Sequence, residues 1–551
     1  MLFSSWLDFG GFPIFWWLIG HITFGFLTLW LLLRKTPISE ILFWVTCFLL
    51  SGFMRLPALL FNLPLNPDES QMLAQGLTLT VDPLVYRSVD PTTSGPINSY
   101  LLSLVHLLGF RLDFRVTHIL SWLITLTSIY FLYKALKYIF PKYVSQIAII
   151  PTIAFFNFTQ NPDYINYYSE GFANILLSYG ICLIARWTHY KKVTHAELVG
   201  FGVALALIVL CKMQALPLAF VLGIWALGLL YLFKKNNWIT YAAVLSISVV
   251  SVWGSWLLYM YLNGLLNDFF LYYITANAQL KMHFSDKSYR SAWYLFIRFP
   301  KIIFKRGLDL NYWFFPFVAL GLAYIITHFS KTTLQKVIQK NSYFWVGLTV
   351  YFAMVVAVII RTGSFFPHHF LYFLLPCSLF TGFFIHQLNS FSPNWRWISF
   401  STQLAFLLIG LFHIVSNEDI NMYKTAQSRQ KEMSNISKAI LTYAQPGDYL
   451  AVWGWSCEYY VETQMPQGVN ENHSVRAAMK HPLQKAYYDR YIRDLQRTHP
   501  KVFVDAMTPR TRWMRDPKIY GHQNYPELAK FVAENYTFKE EIDSVKIYVA
   551  R

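Results

Sequence analysis

Two stretches of the chain repeat one tripeptide beside further carboxylates: Asn66-Pro67-Asp68-Glu69-Ser70 and Asn161-Pro162-Asp163-Tyr164-Ile165-Asn166-Tyr167-Tyr168-Ser169-Glu170. Each follows an apolar run, so each sets carboxylates at a membrane face, where a low-dielectric wall strengthens every charge. Carboxylates clustered there can accept a proton, bind hydroxyl groups or hold a divalent ion. The local sequence also offers a plainer use. Asn66 reads as a helix N-cap with Pro67 in the first turn and Glu69 reaching back, and the second stretch reads as a tyrosine belt with solvated carboxylates. The two uses are compatible, because a capped helix start would hold Asp68 rigidly.

A third stretch, Arg361-Thr362-Gly363-Ser364-Phe365-Phe366-Pro367-His368-His369-Phe370, leads on to Tyr372 and Pro376. Arg361 is either a snorkelling interfacial side chain or a ligand for a phosphate, and His368 and His369 are either interfacial polar residues or ligands. Residues 263–310 interleave Asp268, Tyr272, Tyr273, Lys281, Lys287, Arg290, Arg298, Lys301, Lys305 and Arg306 with Phe, Trp and Leu. That mixture suits a segment at headgroup level gathering anionic lipid, or one that simply anchors. Carboxylates, a cationic lipid-facing loop and an arginine near the membrane surface are the parts needed to transfer something from a lipid phosphate.

The elements that must position these residues are membrane helices. The 551 residues are 55% hydrophobic and only 14% charged, a balance foreign to soluble domains of this length. Spans are expected near 12–33, 38–61, 114–133, 143–159, 168–185, 196–211, 215–233, 239–262, 311–328, 343–360, 366–388 and 397–415, in all about 11–13 helices of roughly 20 residues. The first has no basic n-region and no small-residue cleavage pattern, and reads as a retained helix. Alternate loops carry Arg34 and Lys35; Lys134, Lys137 and Lys142; Arg186, Lys191 and Lys192; Lys234 and Lys235; Lys331, Lys336 and Lys340; then Arg396. Positive loops stay cytoplasmic, which puts loops 62–113, 160–167 and 263–310, the Lys212-Met213-Gln214 turn and residues 361–365 outside. Residues 416–551 turn ordinary in hydropathy and read as a small external α/β domain after a membrane part covering 1–415. Helices are expected at 424–444, 474–497 and 526–535, and strands at 449–455, 501–505 and 545–549. The net charge of +17 follows from the anchoring and lipid-facing loops and needs no nucleic acid. Five cysteines, four of them in apolar segments, give neither a disulfide framework nor a zinc spacing. No Walker loop or dinucleotide fingerprint supports use of ATP or NAD, so energy for chemistry must arrive with the substrate.

The order and sidedness of these motifs resemble the polytopic glycosyltransferases of the GT-C fold, especially the protein O-mannosyltransferase and aminoarabinose transferase relatives of glycosyltransferase families 39 and 83. In that group an Asp-Glu pair in the first external loop, here Asp68-Glu69, precedes a Gly-Pro entering a helix, here Gly95-Pro96. A second external loop carries another acidic residue, here Asp163 or Glu170. A late loop carries an arginine, a His-Tyr or similar and a proline-bearing helix, here Arg361 to Pro376. The chain departs from the group at Ser94, where relatives often have lysine, and at His368-His369-Phe370, where they often have His-Tyr.

The resemblance implies transfer of a sugar from a polyprenyl-phosphate donor to an acceptor hydroxyl on a glycan, lipid or protein, on the external face and with inversion at the anomeric carbon; the short loops and single-chain design favour a bacterial inner membrane, with the active site and tail facing the periplasm, over an endoplasmic-reticulum setting of the same sidedness. It implies Asp68 as general base beside Glu69, and Arg361 with Arg87 or Lys281 as holders of the donor phosphate. Asp163, Tyr167, Glu170, His368 and His369 would bind substrate. A divalent cation, Mg or Mn, held by Asp68, Asp163 and Glu170 is compatible with the pattern but not demanded by it. The alternative is a polytopic transporter or lipid flippase; against it, the charged residues gather in external loops and no half-to-half repeat is present.

Overall fold

The computed structural model describes residues 13–33, 36–62, 64–279, 291–306, 331–363, 365–391, 433–511 and 513–551, together with Phe314, Leu404 and Leu408. Lys281, Lys287, Arg290 and most of the expected spans 311–328 and 397–415 lie outside the described residues.

The apolar runs become helices at nearly their expected limits: α1 Pro13–Leu33, α2 Glu40–Leu60, α5 Phe114–Ile139, α6 Lys142–Phe158, α7 Ser169–Tyr190, α8 His195–Cys211, α9 Leu216–Phe233 and α10 Trp238–Leu262. Later come Lys331–Thr362 and Leu374–Phe391, the latter entered through a 3₁₀ segment, Pro367–Phe373. Six of the described helices are long and apolar enough to cross a membrane, and the protein is integral to one. Ile41, Leu49, Ile239 and Val250 remain exposed on them, as lipid-facing side chains do when the solvent is hydrocarbon. Helix ends follow local chemistry. The Asp113 carboxylate accepts from Val116 N at the start of α5, and Thr194 with Glu197 forms a capping box at α8.

Between α2 and α5 the chain makes two short helices that pack on each other, α3 Pro67–Leu79 and α4 Pro96–Leu107. Farther on, the basic-aromatic segment contains the helix Ala292–Arg306. It exposes Trp293, Phe296, Ile297 and Arg298 and buries Phe299 against Phe365 and Phe373.

The tail carries a four-stranded sheet of order β1-β2-β4-β3, with β1 Leu450–Trp453, β2 Val502–Asp505, β3 Tyr536–Ile542 and β4 Val545–Ala550. Only the β1–β2 pair is parallel. Strand β3 was not expected from the sequence, because its residues from Thr537 to Glu541 are largely exposed and polar and leave no apolar run to read. The helix expected over 474–497 is two pieces, Val475–Ala478 and Gln484–Thr498. Pro482 lacks an N–H and disfavours helical geometry at His481, so the helix is interrupted there. At 424–444 the described part is Asn435–Tyr443.

The tail seats on the segment 67–113. Asp90 N donates to Asn470 O at 2.9 Å, Gln467 N to Thr78 Oγ1 at 2.9 Å, and Arg476 Nη1 lies 3.1 Å from Asp90 Oδ2. All five of these residues are buried.

Candidate active site

Both Asn-Pro-Asp stretches fold into the same small device. Asn66 Oδ1 accepts from Asp68 N at 2.9 Å, and Asn161 Oδ1 accepts from Asp163 N at 3.0 Å. In each, the asparagine side chain takes up an amide that a helix start leaves orphaned, and the proline occupies a position where no amide is needed. The two devices then meet: Asn66 Nδ2 donates to Asp163 Oδ1 at 2.8 Å. One asparagine therefore caps its own helix and holds the other loop's carboxylate.

Asp163 has two further donors. Tyr168 OH lies 3.1 Å from Oδ1 and His368 Nδ1 3.4 Å from Oδ2, while the Tyr168 and His368 rings stack at 4.6 Å. Burial pushes the Asp163 carboxyl up, but His368, Tyr168 and Asn66 outweigh it and hold the group below the usual carboxylate range. Asp68 stands half-buried at the first turn of α3, with Gln71 Nε2 3.4 Å from Oδ1.

Behind Asp163 lies an ion pair whose carboxylate, Glu170, was expected at the site and whose lysine was not. Lys212 Nζ is 2.8 Å from Glu170 Oε1 and 3.0 Å from Ser169 Oγ, and His369 Nε2 approaches Glu170 to 4.0 Å. A signal existed: Lys212 sits in a short loop opposite the basic anchoring loops, a positive residue where the charge bias argues against one. Gly95 positions this lysine's helix. At φ +75°, a side-chain carbon there would stand 2.3 Å from Cys211 O and 2.4 Å from Leu210 O, and Asn98 Nδ2 donates to Cys211 O at 2.8 Å. The Gly95-Pro96 turn is thus pressed onto the end of α8, one residue before Lys212.

The remaining expected residues separate by environment. Glu69 turns into the bundle, fully buried, accepting from Thr117 Oγ1 at 2.8 Å and lying 3.0 Å from His118 Nε2. This placement suits positioning of α3 more than contact with a substrate. Tyr167 is likewise buried, its OH on Asn98 O at 3.0 Å. Arg87 is bonded to Asp82, and its carbonyl accepts from Arg497 of the tail, which commits it to the seam between loop and tail. Arg361 is exposed at the end of the helix Lys331–Thr362. His368 and His369 are buried beside Asp163 and Glu170.

Among the described residues, one group could hold a metal ion: Glu170, His368 and His369, with ligand atoms within 4.8 Å of one another. The structure joins Glu170 to the histidines, and Asp68 is not part of that group. Two imidazoles and one carboxylate suit zinc or manganese better than magnesium. Lys212 already balances the Glu170 charge, however, so the group is satisfied without an ion and fits one poorly.

Helices enclosing two capped acidic loops and a tail seated on the first of them define a polytopic membrane fold of the GT-C kind. The structure of ArnT from Cupriavidus metallidurans in the apo state is similar to this chain with a TM-score of 0.55 at 10% identity, over 92% of this chain and 97% of that one. The same ArnT bound to undecaprenyl phosphate is similar with a TM-score of 0.54 at 11% identity, over the same shares. No protein-family model matches the sequence, and no curated protein matches it.

Proposed function

We propose that the protein transfers a sugar from a polyprenyl-phosphate-linked donor to an acceptor hydroxyl, on the outer side of a bacterial inner membrane. The observation that carries the reading is the joining of the two Asn-Pro-Asp turns through Asn66 and Asp163, with Lys212, His368 and His369 gathered behind them. The likeness of fold to an ArnT bound to undecaprenyl phosphate supports it.

In this reading the acceptor oxygen attacks the anomeric carbon while an Asp68 oxygen takes its proton. The bond from that carbon to the phosphate oxygen breaks on the opposite face, so the anomeric centre inverts. The leaving group is already an anion and needs positive charge more than a proton. Arg361, exposed and bidentate, meets it first. His368 and His369, with the Lys212–Glu170 pair behind them, bind the donor near its sugar and phosphate. Asp163, saturated with donors, keeps His368 and the Asp68 helix in register. A divalent ion is not required.

The test is sugar transfer by purified protein in detergent from a panel of polyprenyl-phosphate sugars, comparing wild type with Asp68→Asn. Transfer that collapses in a variant still folded supports both the class and the base. Transfer unchanged in the variant removes Asp68 from the chemistry.

A further inference from the structure

The tail contributes a face that neither the donor lipid nor the carboxylates account for. The Trp455 ring stacks on His473 at 5.0 Å and 24°, and the Trp513 ring stands edge-on to Trp455 at 5.1 Å and 82°. The third tryptophan of the tail, Trp453, is fully buried, whereas Trp513 is 45% exposed. Trp513 also holds φ +67°, a left-handed backbone that a bulky aromatic residue adopts only at a cost the surroundings must sustain.

This aromatic corner adjoins the proposed base. Asn472, next to His473, donates Nδ2 to Gln71 O at 2.8 Å, and Gln71 in turn reaches Asp68. Cys457, two residues after Trp455, places its thiol 3.3 Å from Asn472 O. Burial pushes that thiol well up, helped by the nearby Glu458, Asp68 and Glu471. Burial and Arg476 hold His473 well below its usual range, which leaves it neutral for stacking and hydrogen bonding. Flat indole faces with a neutral imidazole and carboxylates at the rim match a pyranose ring, which offers C–H groups on its faces and hydroxyls around its edge. A prenyl chain offers no hydroxyls.

The geometry points to the exposed Trp513 ring, backed by Trp455 and His473, as a stacking platform for a sugar ring of the acceptor, which makes the acceptor a carbohydrate-bearing molecule. The word acceptor rests on the transferase reading; the binding of carbohydrate does not. The test uses full-length protein labelled with 5-fluorotryptophan in lipid nanodiscs, with the Trp513 and Trp455 fluorine signals assigned from Trp513→Ala and Trp455→Phe. Soluble oligosaccharides of glucose, N-acetylglucosamine and mannose, a Ser/Thr-rich peptide and undecaprenyl phosphate are added separately. The expected result is a saturable shift of the Trp513 signal with at least one oligosaccharide at millimolar concentration, and none with peptide or lipid. Binding should weaken at least tenfold in Trp513→Ala and survive in Trp455→Phe, which keeps an aromatic face. No shift with any oligosaccharide, or a shift with peptide or lipid alone, overturns the proposal. In the transfer assay Trp513→Ala should raise the acceptor KM and leave the donor KM unchanged. Carbohydrate binding without any transfer would keep the platform and remove the transferase reading.

Discussion

The two Asn-Pro-Asp turns share a tripeptide and a capping hydrogen bond, yet they set their aspartates in different surroundings. At the second, the chain makes a single 3₁₀ turn, Pro162–Tyr164, before entering α7, and Asp163 is bonded by Asn66, Tyr168 and His368. At the first, the turn opens the thirteen-residue helix α3, Glu69 anchors that helix inward, and Asp68 is left at the rim facing the tail. Local sequence fixes the turn in both. What the neighbouring elements offer the carboxylate, and not the tripeptide, sets its surroundings.

The contrast can be broken most sharply at Asp68. Asp68→Asn should lower transfer by about 10²–10⁴-fold with the melting temperature unchanged, as loss of a general base does; a matching loss of stability would make the two turns alike. Next is the pair behind the second turn. Lys212→Met should cost about 3–5 kcal/mol of stability by stranding a buried Glu170 charge, read by denaturant unfolding, and adding Glu170→Gln should recover much of it. Asp163→Asn should cost about 1–3 kcal/mol by disturbing a three-donor network. It should also lower activity through position, so that donor KM moves along with kcat. Removing the caps singly, Asn66→Ala or Asn161→Ala, should each cost about 1 kcal/mol. Asn66→Ala should cost more, because it also releases Asp163.

A separate effect concerns the tail, which seats on the segment that begins with the first turn. Burial and the nearby Asp90 push the Glu471 carboxyl from 4.5 up to about 8, against Arg476 and the amides of Arg476 and Ala477. A carboxyl raised in the folded state binds more protons folded than unfolded. Its stabilising effect is therefore complete below pH 4.5 and is lost as pH rises toward 8. Melting temperature should fall across that interval, and Glu471→Gln should flatten the slope.

Much of the membrane part was legible because a span writes itself as an apolar run; α6 and α9 lie within one residue of their expected limits. The acidic loops were legible because Asn-Pro-Asp carries its turn locally. Hidden from the sequence were relations between distant side chains: the Asn66–Asp163 bond across 97 residues, the inward turn of Glu69 toward His118, and the Lys212–Glu170 pair. Arg87 and Arg361 have the same residue type, and only packing tells that the first is held by Asp82 while the second stands open. Strand β3 escaped notice because its outward residues are charged and its partner β4 supplies the apolar face.

The bond from Asn472 to Gln71 spans 401 positions of the chain. During synthesis Asp68, the proposed base, is therefore made long before the segment that packs beside it, and a nascent chain already threaded into the membrane carries Asp68 with no tail to face it. Contacts of such separation form late. Competence would then arrive as a single late event, when the segment around Asn472 has been made and docks onto α3, and an unfinished chain could not act on whatever lipid it meets.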